Sequence, residues 1–210
     1  MKRKIVSILL ISSLVISLQA QSFDKRNVAV CSFNVNINPN LGITPNREIA
    51  DHIYGGLNAV LLDSAGIQLK NIDFLKDKVT YFLGYPIGNA KNAAKSKLCS
   101  NYVKIVVEVS PDGMFSTNNS SFNVSGIGKE KKKVNSRIKV AINMIIYDEN
   151  GEKLKEINAK SNSKEKIIID SESLSIGDFS FVDKKKNGKN FETFQEILFQ
   201  AAIELAKKSI

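Results

Sequence analysis

His52 is the single histidine of a 210-residue chain, so proton transfer near neutral pH would fall first to it. It stands beside Ile53 in a run of helical periodicity, with no serine or cysteine nucleophile indicated nearby. It therefore reads as a partly exposed helix residue and not as a general base. The sequence holds no G-x-S-x-G elbow, no H-E-x-x-H pair and no Walker loop. Asp51, Asp63, Asp73, Glu108, Asp170 and Glu172 could pair across a cleft as acid and base, but any surface of this size offers such pairs. The turn Asp148 to Gly151 lacks the regular oxygen-ligand spacing and late glutamate of a calcium loop. Cys31 and Cys99 fall in or beside apolar runs and are expected as buried free thiols, although an oxidising compartment would leave a disulfide open to them. One histidine and two distant cysteines cannot build a transition-metal cluster. The expectation is a non-enzyme with no metal and no cofactor.

The residues with most to offer are apolar. In SLSIGDFSFVDKKKNG, residues 173–188, a two-residue turn at Gly177-Asp178 sets Ile176 against Phe179 and Leu174 against Phe181, with Ser175 opposite Ser180. One face of this hairpin is greasy and the other carries hydroxyls. Leu174, Ile176, Phe179 and Phe181 are thus the candidate binding face, for docking on the parent sheet or on a partner.

Residues 1–20 have the layout of a secretory signal peptide: Lys2-Arg3-Lys4, an apolar run from Ile5 to Leu18, and Ala20 at the cut. The mature chain, expected from Gln21, holds no later stretch long enough for a membrane-spanning helix. Removing the three leader cations lowers the formal charge from +9 to +6. The lysine runs at 129–133 and 184–186 lack interleaved aromatics, so no nucleic-acid partner is expected, and they read as solvated turns in preference to sites for anionic envelope polymers or lipid head groups. About 190 residues bury one sizeable core, which predicts a single domain over 21–210.

The elements that must carry this hairpin are legible in order. The run 28–35, VAVCSFNV, reads as a buried strand. Thr44-Pro45 reads as the opening of a helix with Ile49, Ile53, Leu57, Val60 and Leu61 on one face and Gly66 as its stop. Residues 67–83 read as a short strand and then a helix with Phe74, Leu75, Val79 and Phe82 as apolar positions, and a further helix is expected from Asn89 to Leu98. The run 102–110 is the strongest strand signal. Residues 137–148 and 152–161 read as an antiparallel hairpin, and 191–208 as a closing helix. The expected fold is α/β (α+β), a mixed sheet packed with helices in the order β-α-β-α-β-β-β-α, with hairpin-like insertions at 110–136 and 161–190.

This order, with the opening 28–35, the helix 49–66, the pairing 93–109, the hairpin 138–154 and the aromatic segment 179–183, resembles the CsgG family of the curli-secretion-channel type. More loosely, it resembles the amino-terminal domain of TolB. The resemblance implies an envelope-located α/β domain, and for the channel type an oligomeric outer-membrane pore in which two inserted hairpins per subunit join a shared barrel. The two insertions fall where those hairpins would.

The chain departs from that pattern in two respects. No lipid-attachment cysteine stands at the mature start. A membrane strand also needs about 9 to 11 residues and an apolar band about 25 Å tall, whereas the greasy face runs into Asp170 and Glu172 on one arm and Asp183 and Lys185 on the other. In the first insertion only Phe122, Val124 and Ile127 are clearly apolar after Phe115. The leading expectation is an exported, non-enzymatic binding or assembly component of the cell envelope, periplasmic or outer-membrane-associated. Its partner would be an envelope protein or another copy of itself, with peripheral outer-membrane contact as a further option. The alternatives are a pore subunit of the secretion-channel type and, from another class, a carboxylate-based hydrolase of envelope glycans.

Overall fold

In the computed structural model the described residues are 23–38, 45–70, 75, 77–112, 133–164, 167–170 and 184–210. Strand β1 (Val28–Ile37) leads to helix α1 (Arg47–Ala65), then β2 (Leu69–Lys70), β3 (Thr80–Phe82), β4 (Tyr85–Ile87) and helix α2 (Ala90–Ala94). Strands β5 (Asn101–Asp112), β6 (Lys133–Tyr147), β7 (Lys153–Asn162) and β8 (Ile167–Asp170) precede helix α3 (Lys184–Ser209). The sheet runs β3-β4-β1-β5-β6-β7, with β2 beside the start of β1 and β8 beside the start of β6. β1 is parallel to β2 and β5, and the remaining pairs are antiparallel. The fold is therefore a mixed α/β sheet, as its sequence pattern indicates.

β1 explains how one short strand serves two cores. Its register with β5 shifts between Val30 and Ser32, a bulge at Cys31 that exchanges the inward parity. Val28 and Val30 before the bulge, and Phe33, Val35 and Ile37 after it, consequently belong to the same large cluster, whereas Ala29 and Cys31 belong to a smaller one with Ala90, Ala93, Ala94, Cys99 and Tyr102. The large cluster lies beneath α1 and α3. It takes Val103, Ile105, Val107 and Val109 from β5, and Ile138, Val140, Ile142, Met144 and Ile146 from β6, the alternation expected of strands with one buried face. From α1 it takes Ile53, Leu57 and Leu61, each at 0% exposure; truncating one to alanine would cost about 2 to 5 kcal/mol.

Four local expectations need correction. The first helix is not capped at Thr44-Pro45: Asn46 is its N-cap and accepts from the Ile49 N–H, a better acceptor placed two residues later. The helix expected across Val79 and Phe82 is a hairpin, β3 to β4, because Leu83 (φ 53°) and Gly84 (φ 84°) both take the left-handed region that a two-residue turn requires. The helix expected over Asn89 to Leu98 stops after Ala94; Lys97, also left-handed at φ 53°, turns the chain toward β5. The stop of α1 at Gly66, the 148–151 turn and the antiparallel β6–β7 pair stand as the sequence indicates. The closing helix begins earlier than expected, at Lys184, so the lysine run 184–186 is its first turn and not a loop, and Lys185 does not extend an arm of the 173–188 hairpin.

Candidate binding surfaces

Both insertions are rooted at one end of the longest ladder. β5 and β6 stay paired from Tyr102↔Tyr147 to Asp112↔Arg137, so the strands run past the expected insertion boundary on either side. The first four residues of β6 then pair with β8, Lys133↔Asp170 to Ser136↔Ile167. Backbone hydrogen bonding therefore joins the close of the first insertion to the opening of the second. Ser163 fastens the junction, its N–H donating to the Ile138 carbonyl (2.8 Å) and its hydroxyl accepting from the Ile138 N–H (3.0 Å). Leu174, Ile176, Phe179 and Phe181 lie outside the described residues, as do the apolar residues of the first insertion.

His52 sits on α1 facing α3, its Nε2 3.1 Å from the Gln195 side-chain nitrogen. His52, Gly56, Gln195, Glu196, Leu198 and Phe199 line an open groove of about 360 Å³. Among the described residues no serine, cysteine or carboxylate pair converges there in the arrangement a nucleophile and base need. Among the expected carboxylates, Asp51 accepts from the Tyr85 hydroxyl at 2.7 Å and lies 3.8 Å from Arg47. Asp63 lies about three turns further along α1, and Glu108 is exposed on β5. Asp73 and Glu172 fall outside the described residues. Among those described, no group of three or more His, Cys, Asp or Glu is placed to hold a metal ion.

The buried polar groups near these surfaces are structural in geometry. Phe33, Tyr54 and Tyr85 pack ring on ring at 4.8 to 5.2 Å between centroids, joining β1, α1 and β4. Burial pushes the Tyr54 hydroxyl up to about 12. The Tyr85 hydroxyl is raised further, by burial first and then by its bond to the Asp51 carboxylate. Cys31 and Cys99 are both buried and free. Cys31 Sγ donates to the Val103 carbonyl at 3.2 Å, and burial pushes its thiol up to about 12, the wrong direction for a nucleophile.

Sequence reasoning missed two exposed features. One is the β3–β4 hairpin, where Tyr81, Phe82 and Ile87 are exposed. The other is a lysine-lined cleft beside α2. The signal for the first was present in Leu83-Gly84; the second brings together positions almost sixty residues apart and had no local signature.

No protein-family model matches the chain, and no curated protein is similar to it. Solved structures that overlay on it include the lipoprotein GNA1162 from Neisseria meningitidis, with 10% identity over 81% of this chain and 96% of that one and a TM-score of 0.40. The protein CT253 from Chlamydia trachomatis gives 12% identity over 87% and 91%, with a TM-score of 0.39. A minor lipoprotein from Acinetobacter baumannii gives 10% identity over 85% and 91%, with a TM-score of 0.33. At TM-scores below 0.5 these overlays carry no argument about what this chain does.

Proposed function

We propose that this chain is an exported, non-enzymatic component of the bacterial cell envelope that works by binding, with its two insertions as the surface that meets an envelope protein or another copy of itself. The observation that carries this reading is the shared root. A rigid β5–β6 ladder, buried on its helix face, holds the ends of two long insertions together through the β6–β8 pairing. A scaffold that spends its most regular structure on presenting two segments side by side is built for contact. The groups that would serve catalysis are instead tied to structural partners, as Asp51 is to Tyr85 and Cys31 to Val103.

The second reading is a subunit of an oligomeric outer-membrane pore of the CsgG type. The same shared root favours it, because segments that leave one strand end together could enter one barrel together. Against it stands the short greasy face of Leu174, Ile176, Phe179 and Phe181, bounded by Glu172 and Asp183.

Fractionation of cells separates the readings. A binding component leaves the membrane fraction in high salt and sediments as a soluble species, alone or with its partner. A pore subunit stays with the outer membrane as a heat-stable oligomer. Replacing residues 173–181 by a short Gly-Ser segment should abolish assembly while the thermal midpoint of the core stays in place; retained assembly would refute the binding reading.

A further inference from the structure

At the end of the β5–β6 ladder opposite the insertions, about 35 Å along the strands, the molecule has a second built surface. Lys91, Ala94, Lys95, Lys97, Cys99, Glu149 and Asn150 line a cleft of about 590 Å³ between α2, the following turn and the β6–β7 turn. Its walls are fixed. Asp148 Oδ1 accepts from the N–H groups of Asn150 (2.9 Å) and Glu152 (2.8 Å), holding the turn in shape. Gly151, at φ 80°, lies so close to α2 that a Cβ would fall 2.6 Å from Lys91 Cα. Lys91 Nζ closes the junction on Glu152 at 2.8 Å.

Among the described residues the cleft is cationic beyond what its carboxylates balance. Glu152 is engaged by Lys91, which leaves Lys95 and Lys97 lining the cleft with Glu149 as the acidic residue described there. Lys95 also contacts Asn92 Oδ1 at 3.2 Å. Lys70 adds a further positive charge close to Cys99, whose thiol is held neutral by burial and so does not repel an anion. Lys97 holds its place at a conformational cost: it is left-handed at φ 53°, just after the end of α2, where glycine or asparagine is the residue the backbone prefers. Lys97 is kept in that conformation as an exposed residue lining the cleft.

We propose that this cleft binds a phosphate-bearing anion. Compact ammonium charges with several donors each suit a phosphate group, which offers three acceptor oxygens and can satisfy more than one lysine. Against the one carboxylate of Glu149, the three ammonium groups of Lys70, Lys95 and Lys97 leave an excess that a single carboxylate ligand would only half compensate. The phosphate could belong to a soluble molecule or to a lipid headgroup. Leu98, half exposed beside Lys97, would meet the apolar part of the latter.

The full exported protein should be titrated calorimetrically with sodium pyrophosphate, and separately sedimented with phosphatidylcholine vesicles with and without phosphatidylglycerol. Binding in the pyrophosphate arm or the phosphatidylglycerol arm, weakening with salt, is expected, and the active arm identifies the source. Lys95→Gln with Lys97→Gly should weaken it by about tenfold or more, since each lost charge-assisted contact is worth at least that. Lys97→Gly alone should raise the thermal midpoint while lowering affinity, which separates ligand binding from folding. Leu83→Gly, another left-handed site, should raise the midpoint and leave affinity unchanged. Absence of binding in both arms, binding to phosphatidylcholine alone, or binding that survives both lysine substitutions overturns the proposal. The protein shortened at 173–181 should still bind, so failure here is distinguishable from failure of the insertion reading.

Discussion

The Tyr85 hydroxyl donates to Asp51 Oδ1 across 2.7 Å and so ties the β3–β4 hairpin to the first turns of α1. With the Tyr54 ring tilted against that of Tyr85 at 5.0 Å between centroids, two phenols are kept protonated where they would ionise in the unfolded chain. A folded-state pKa raised above the unfolded value contributes stability that is complete below the unfolded pKa and disappears as pH climbs through the folded one. Stability should therefore hold up to about pH 10 and fall between about pH 10 and 12 as Tyr54 ionises, with Tyr85 extending the loss upward. Tyr54→Phe, which removes no hydrogen bond to the described residues, should flatten that alkaline fall in urea titrations. An unchanged slope would mean that the ring is not desolvated as described.

Gly151→Ala should destabilise the protein by about 2 kcal/mol or more, because alanine is strained at φ 80° and its Cβ would strike the Lys91 backbone. Chemical denaturation should show a lower midpoint with an unchanged slope. Gly55→Ala provides the contrast: that glycine is in a helix interior with open space around it, so alanine should stabilise by about 0.5 to 1 kcal/mol.

Cys31 should resist thiol reagents in the native protein, being at 0% exposure with its proton held by burial and shared with the Val103 carbonyl. After denaturation without reductant both cysteines should react. Thiols that label only once a reductant is added would reveal a disulfide between them.

If any activity is detected in the purified protein, His52→Ala should leave it almost unchanged, since the ring lies against Gln195 in an α1–α3 groove whose described lining holds no serine or cysteine. A loss of about a hundredfold, the least expected of a general acid or base, would contradict the non-enzymatic reading.

The parts of the fold that follow from long-range alternation were legible. Val103 to Val109 and Ile138 to Met144 announce two half-buried strands, and Ile49 to Leu61 a helix, because a single buried face imposes its period on the sequence. What escaped was decided by single residues against their propensity. Lys97 adopts a left-handed backbone that its side chain disfavours, so the sequence does not announce the helix end before it, and Leu83 does the same beside Gly84, which leaves that glycine as the one local sign of the β3–β4 turn. The shared root of the insertions was invisible for another reason: the pairing of Lys133–Ser136 with Ile167–Asp170 joins segments more than thirty residues apart, across the whole β6–β7 hairpin, with no turn that connects the two paired segments directly. The greasy hairpin face, Leu174, Ile176, Phe179 and Phe181, was legible as a pattern, and its placement lies beyond the described residues.

The central claim is that the insertions dock on protein and do not cross lipid, and planar-bilayer recording of the mature protein tests it most directly. The account predicts no conductance steps from the wild-type protein. It also predicts that Ile176→Ser with Phe179→Ser weakens assembly in solution without any membrane present. Discrete conductance steps that the double substitution abolishes, with the soluble fold unchanged by circular dichroism, would contradict it and assign the insertions to a barrel completed by neighbouring subunits.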